Sequence, residues 1–270
     1  MTTPQDTTWV LEAGVFPETH AAMAAAVKSA SMRLVEWDDA WWRSGDWPRL
    51  DCSSVFHGSL GNADRIAREL PWRPGAYCKT EAFRCSSWYL RAEPWLLHRT
   101  WRATTVASLV ESPANELAFL TDGSRFFVRP DSPLKPFSGR VVPRERLSLS
   151  ALDHGYYYDD ATLPIIVAPV RNVTREWRYV VVERRVVAGS AYLADRRTHE
   201  ADSAASGAWR FAADVSRAME PPEAVYVLDV CEADGELRLL ELNPFSGADL
   251  YSCDRAAVVE AVSIHAGKHR

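Results

Sequence analysis

The stretch AVYVLDVCEADGELRLLELN, residues 224–243, decides how this chain is read. Two apolar runs flank Ala-Asp-Gly, the mark of a β-hairpin. Side chains alternate faces along a strand, so Glu241 and Asn243 project together with Leu239, while Leu240 and Leu242 project the other way. Pro244 stops the strand because it has no N–H to give to a ladder. In the first arm, Asp229 interrupts Val225, Val227, Leu228 and Val230, and a carboxylate there needs a neutralising partner. A three-residue turn over 233–235 pairs Glu232 with Glu236 and sets Asp229 opposite Leu239. Asp229 and Glu241 are then diagonal neighbours on one face, ~7–8 Å apart at the backbone. A two-residue turn puts them on opposite faces. In the first register, two carboxylates and an amide oxygen converge, and such hard donors suit Mg²⁺, particularly when phosphates complete its octahedron. The competing reading makes Glu241 a surface carboxylate beside Arg238 on a half-exposed hairpin.

Composition narrows the options. The chain has 270 residues, enough for one large or two modest domains. Its 31 Lys+Arg against 36 Asp+Glu, a net charge of -5, argue against a nucleic-acid-binding surface. No apolar run approaches the ~18 residues of a membrane span, and the first residues lack a basic segment followed by an apolar one, so neither a membrane nor a secretory signal is expected. Five scattered cysteines without a C-x-x-C point to no disulfide framework or zinc site and fit a reducing cytoplasm. Most of the eleven tryptophans, Trp37 to Trp101 among them, are expected in cores and between domains.

The chain divides near residue 100. Before it, strand signals at 9–11, 32–37 and 54–57 alternate with helices at 17–31 and 63–70, a βαβ pattern. Residues 71–101 read as irregular. Beyond, a helix is expected over 104–120, strands over 125–129, 177–182 and 186–192, an apolar segment over 163–170 and a helix over 208–219. The second part therefore reads as α+β with mostly antiparallel strands. GSLG at 58–61 lacks the Lys-Ser/Thr of a phosphate loop and shapes a turn or a cleft wall. YYYDD at 156–160 reads as a solvated aromatic loop.

Cations occur in a particular order. Arg129 ends a strand, Lys135 lies in the loop after it, and Glu176 and Arg178 share a strand face. Arg offers a planar fork to phosphate oxygens and Lys a point charge. In FFVRPDSPLKPFSG (126–139), REWRYVVVERRVVAGSAY (175–192) and YVLDV…LLELNPFSGADLY (226–251), the chain resembles the ATP-grasp superfamily, and within it the clade characterised by two arginines and one lysine. The resemblance covers about half the chain. It implies an ATP-grasp domain over 101–270 with ATP between two α+β subdomains, preceded over 1–100 by a Rossmann-like pre-ATP-grasp domain.

By the same resemblance, Asp229, Glu241 and Asn243 hold Mg²⁺, while Arg129, Lys135 and Arg178 contact ATP phosphates or a developing acyl phosphate. The main chain of Val167, Ala168 and Val170 binds adenine, and Glu176 binds ribose or orients Arg178. Two features depart from the pattern: PFSGADLY replaces the arginine that many relatives carry after Glu-x-Asn, and the glycine-rich lid is reduced to Ser138-Gly139. The implied activity is ATP-dependent ligation of a carboxylate to an amine or similar nucleophile through an acyl phosphate, the acceptor being a small molecule or a peptide. A phosphotransferase on the same fold and a non-catalytic nucleotide-binding module are the alternatives. Ser190, Tyr192, Ser246, Asp249 and Tyr251 are candidate substrate contacts, although Asp249 fits a local turn or helix cap better.

Overall fold

The computed structural model describes residues 6–50, 52–121, 123–152, 160–193 and 198–268. The N-terminal part runs β1 (Thr8–Leu11), α1 (Pro17–Ser29), β2 (Arg33–Glu36), α2 (Trp41–Ser44), β3 (Ser54–His57), α3 (Leu60–Glu69), β4 (Pro74–Gly75) and α4 (Cys85–Ala92). Its four strands form a wholly parallel sheet in the order β2-β1-β3-β4. Pro17 starts α1 at the position where a missing N–H costs nothing, and Ser59 caps α3 by accepting from the Asn62 N–H.

Next come β5 (Arg102–Thr105), α5 (Val106–Glu111), α6 (Pro113–Glu116), β6 (Arg125–Pro130), β7 (Arg140–Pro143), α7 (Leu149–Leu152) and β8 (Pro164–Ala168). These strands make a second, antiparallel sheet in the order β5-β8-β6-β7. Phe126, Val128, Ile165 and Val167 pack on α5 and its neighbours, so the alternate residues Phe127, Arg129, Ile166 and Ala168 share the opposite face.

The third sheet comprises β9 (Val173–Val182), β10 (Arg185–Tyr192), β11 (His199–Asp202), β12 (Val225–Ala233) and β13 (Glu236–Pro244), in the order β11-β10-β9-β12-β13. Helix α8 (Gly207–Ala218), capped by Ser206, lies between β11 and β12, and α9 (Arg255–Gly267), capped by Asp254, follows β13. One face of this sheet (Tyr179, Val181, Leu228, Val230, Leu239, Leu242) packs on α8 and α4. The other face (Val180, Val182, Val225, Val227) shares a core with α9, α1 and β1. Fully burying each such side chain stabilises by about 1.5–3 kcal/mol, so α9 fastens the sheet to the N-terminal part. Residues 95–97 cover the outer edge of β13: Leu97 N–H donates to Leu239 O at 2.9 Å, and Leu239 N–H to Trp95 O at 2.8 Å.

Three local expectations change. Residues 104–120 are not one helix: Thr104 and Thr105 belong to β5, where β-branched side chains fit the pleat, and Pro113 separates α5 from α6. The region read as irregular contains α4, whose start is held by Asp131 accepting from Ser86 N–H (2.7 Å) and Ser86 Oγ–H (2.9 Å), a cap supplied 45 residues away. Strands over 177–182 and 186–192 leave Glu183, Arg184 and Arg185 as the turn, but Arg185 pairs with Val182 and the β9–β10 turn has two residues, Glu183 and Arg184, both in the left-handed region (φ 48° and 65°). Of the YYYDD run, residues 156–159 lie outside the described residues. Asp160 closes a local turn by accepting from Thr162 N–H at 2.9 Å.

Candidate functional site

The β12–β13 hairpin has a two-residue turn, Asp234-Gly235, with φ of 54° and 77°, and Ala233 pairs with Glu236. That register alone sends Asp229 and Glu241 to opposite faces. A β-bulge at Leu240 reverses the outcome: Val230 pairs with Leu239, but Asp229 pairs with Glu241 and Val227 with Asn243. The extra residue moves Leu239 to the core face with Leu242 and leaves Glu241 and Asn243 on the face of Asp229. The carboxylates are direct neighbours rather than diagonal ones. On the other flank Asp229 pairs with Arg178 of β9.

These side chains form one hydrogen-bonded network. Arg178 donates Nε–H and an Nη–H to the two oxygens of Asp229, each at 2.8 Å, and another Nη–H to the Asp249 carbonyl at 2.9 Å. The bidentate fork is the strong form of this contact. Asn243 Nδ2 lies 3.0 Å from Asp229 Oδ2 and 3.2 Å from Glu241 Oε2. From the second sheet, Arg129 pairs with Glu241 Oε1, and Lys135 Nζ reaches Glu241 Oε2 at 2.9 Å. Burial alone would push the Glu241 carboxyl up, but Arg129, Lys135 and Arg178 outweigh it and hold the carboxyl well below the usual carboxylate range. Burial likewise opposes the charges on Arg129 and Arg178, and their acidic partners overcome it.

The supports are local. Gly139 lies against the face of β6 that carries Phe127 and Arg129, where a Cβ would lie 2.9 Å from Phe127 Cζ, so the chain after Lys135 needs glycine to approach. Tyr251 holds the left-handed region (φ 47°), which is costly for an aromatic residue. Its ring stacks on His199 (4.0 Å, 4°), packs edge-on to Tyr192 (5.0 Å) and lies 4.7 Å beneath the Arg178 guanidinium carbon.

The remaining candidates are placed as follows. Glu176 faces the same side as Arg178, opposite Cys231 on β12. Val167 is a central-strand residue paired with both Arg102 and Val128, its side chain in the core, so its peptide groups serve the sheet. Ala168 pairs only with Phe127, and Val170 lies beyond the strand end. Ser246 is fully buried in the junction with the N-terminal part: Tyr77 N–H donates to its Oγ at 2.9 Å, and Gly58 N–H donates to its carbonyl at 2.9 Å. Asp249 accepts from Thr19 Oγ–H and from Tyr251 N–H, the turn-capping role. Ser190 Oγ accepts from Ser252 N–H at 3.2 Å. GSLG begins α3 and lies against Gly247. The five cysteines are free thiols, four of them buried. His98 and His199 were not marked by the sequence, because dispersed histidines carry no spacing signal. No helix among the described residues is long and apolar enough to cross a membrane.

Two antiparallel sheets facing each other across a cationic and acidic cluster are the arrangement of the ATP-grasp fold. Solved structures agree over almost the whole chain. The D-cycloserine synthetase DcsG has a TM-score of 0.62 at 14% identity, covering 96% of this chain and 99% of its own. The ATP-grasp ligase PsnB, complexed with precursor peptide PsnA2 and AMPPNP, gives 0.60 at 12%, covering 99% of each chain. D-alanine--D-alanine ligase from Bacillus anthracis, complexed with ATP, gives 0.60 at 13%, covering 97% and 98%. No curated protein sequence matches. The family model for the ATP-grasp domain of the two-arginine, one-lysine clade, family 2, matches residues 97–261, and the chain belongs to that family.

Proposed function

We propose that this protein is an ATP-dependent ligase that joins a carboxylate to an amine or similar nucleophile through an acyl phosphate. The observation that carries the reading is the convergence of Arg129, Lys135, Arg178, Asp229, Glu241 and Asn243 on one network, although Arg129 and Glu241 lie 112 positions apart. The relatives named above include small-molecule and peptide ligases, and the acceptor here belongs to one of those two classes.

The donor set fits Mg²⁺ in one respect that depends on these atoms: the Asn243 amide already lies within hydrogen-bond distance of both carboxylates. Turned over, it presents Oδ1 where Nδ2 now sits. Two carboxylates and one amide oxygen leave positions for phosphate and water, as Mg²⁺ prefers. Bound by Asp229, Glu241 and Asn243, the ion would neutralise phosphate charge.

The three cations now pair with those carboxylates, so nucleotide binding is an exchange of partners. Arg129 and Lys135 pass from Glu241 to phosphate oxygens, and Arg178, fixed by Asp229 and the Tyr251 ring, is aimed at the transferred group. The substrate carboxylate oxygen forms a bond to the γ-phosphorus as the bond to ADP breaks. The amine then attacks the carbonyl carbon, phosphate leaves, and the amine proton passes to solvent. The protein supplies positioning and charge rather than a covalent nucleophile. Ala168 and Val170 are the linker groups left to meet adenine, with Glu176 at the ribose. Residues 1–100 serve as the Rossmann-like pre-ATP-grasp domain and 101–270 as the ATP-grasp domain.

Calorimetric titration with ATP and Mg²⁺ tests the premise, and absence of binding removes it. ADP release across mixtures of amino acids and peptides, followed by identification of the product, separates a ligase from a kinase. A stable phosphorylated product assigns the second.

A further inference from the structure

His98 follows residues 95–97, which bridge to β13, and is next to Leu97, which packs on Cys231 and Ala233 of β12. Its ring is 5% exposed and lies parallel to Phe127, with centroids 4.8 Å apart and planes 15° apart. Phe127 is on the same face of β6 as Arg129, two residues away, and therefore one strand repeat from the phosphate-binding position proposed above.

The two ring nitrogens differ. One faces the carbonyl of Pro169, the residue between Ala168 and Val170. Nδ1 is buried and has no partner. The Pro169 carbonyl can only accept, so the nitrogen that meets it, Nε2, carries the proton. Burial, together with the positive charges of Arg129 and Arg171, pushes the ring down to about 3, so it is neutral near pH 7. Nδ1 is thus a bare lone pair, desolvated and unsatisfied, beside a flat aromatic face and the peptide groups reserved for the base. A native structure rarely leaves such an acceptor idle.

We infer that His98 selects the purine: Nδ1 accepts a hydrogen bond from the 6-amino group of adenine, while a 6-oxo purine sets oxygen against nitrogen, acceptor against acceptor. The Pro169 carbonyl fixes the tautomer, and Phe127 fixes the ring plane. A site built around a hydrogen bond discriminates strongly against the analogue lacking it, because the buried group is then left unpaired. The inference rests on the nucleotide reading above and adds a residue that acts on base identity alone.

The test is a pair of dissociation constants, for Mg·ATP and Mg·ITP, measured by calorimetry. ITP differs from ATP in carrying a 6-oxo group and an N1–H. The expected result for the wild type is at least about tenfold tighter binding of ATP. His98→Phe keeps a flat ring against Phe127 but removes the acceptor, and the ATP/ITP ratio falls towards one. His98→Asn places Oδ1 near the position of Nδ1 and restores part of the preference, a rescue that a purely structural role does not give. Equal wild-type affinities for ATP and ITP overturn the inference without any variant, as does an unchanged ratio in His98→Phe. Failure of the wild type to bind either nucleotide overturns the ATP reading itself.

Discussion

The two sheets that meet at the site bring opposite charge to it. The four-stranded antiparallel sheet contributes cations, Arg129 on β6 and Lys135 in the loop that follows. The five-stranded sheet contributes both carboxylates, and its one site cation, Arg178, is locked to Asp229 on the adjacent strand. Asp229 is therefore satisfied within a single sheet and Glu241 across the cleft. The first pair lies within one sheet and the second joins the two sheets. The acids thus differ in what their loss should damage.

Four substitutions probe that contrast. The largest effect is expected from Asp229→Ala, which strands a guanidinium whose side chain is 10% exposed. It should cost about 3–5 kcal/mol of stability in denaturant unfolding as well as ADP release. A wild-type midpoint would mean that the two carboxylates are equivalent. Glu241→Gln should lower ADP release by about 10²–10³ and shift the midpoint less than Asp229→Ala, since glutamine keeps an oxygen for Arg129 and Lys135 whereas alanine leaves Arg178 no acceptor at that position. Normal turnover in this variant would remove it from the metal site. Lys135→Ala removes a side chain 40% exposed, so it should change stability by less than about 1 kcal/mol while raising the KM for ATP. Sensitivity of that KM to salt should fall with the charge.

The smallest effect concerns Glu223, away from the cleft. Burial raises its carboxyl to about 7, only partly offset by the Lys79 N–H it accepts at 3.4 Å. A carboxyl raised above its unfolded value contributes fully below about pH 4.5 and loses that contribution as pH rises through about 7. Glu223→Gln should therefore raise Tm at pH 8 and leave it nearly unchanged at pH 4.5, sharpening the baseline against which the cleft variants are read.

Much of the site is legible in the sequence because its chemistry sits on strands. Period two alone puts Glu241 beside Asn243, and Glu176 beside Arg178. The order of three blocks implies which elements meet. Register is less accessible: Asp229 faces Glu241 only because Leu240 bulges, and a bulge is set by packing on both faces of the sheet rather than by the local run of residues. Helix α4 has no local signal because its cap, Asp131, is remote, and β5 is hidden behind an apparently helical run that Pro113 divides. His98 has no spacing partner, and its character comes entirely from Phe127 and Pro169 around it.

The three residues 95–97 that zip onto β13 have a practical consequence for dissection. A fragment that begins at Trp101 keeps every strand of the two antiparallel sheets but bares the outer edge of β13 at Leu239 and the apolar faces that α4, α1 and β1 cover, and an exposed edge of that kind recruits copies of itself. Excised at that point, the piece is expected to aggregate in solution. Starting a few residues earlier, before Trp95, keeps that edge paired, but the faces of the sheet that pack on α4, α1 and β1 stay bare, so a soluble unit needs those elements as well as the seam.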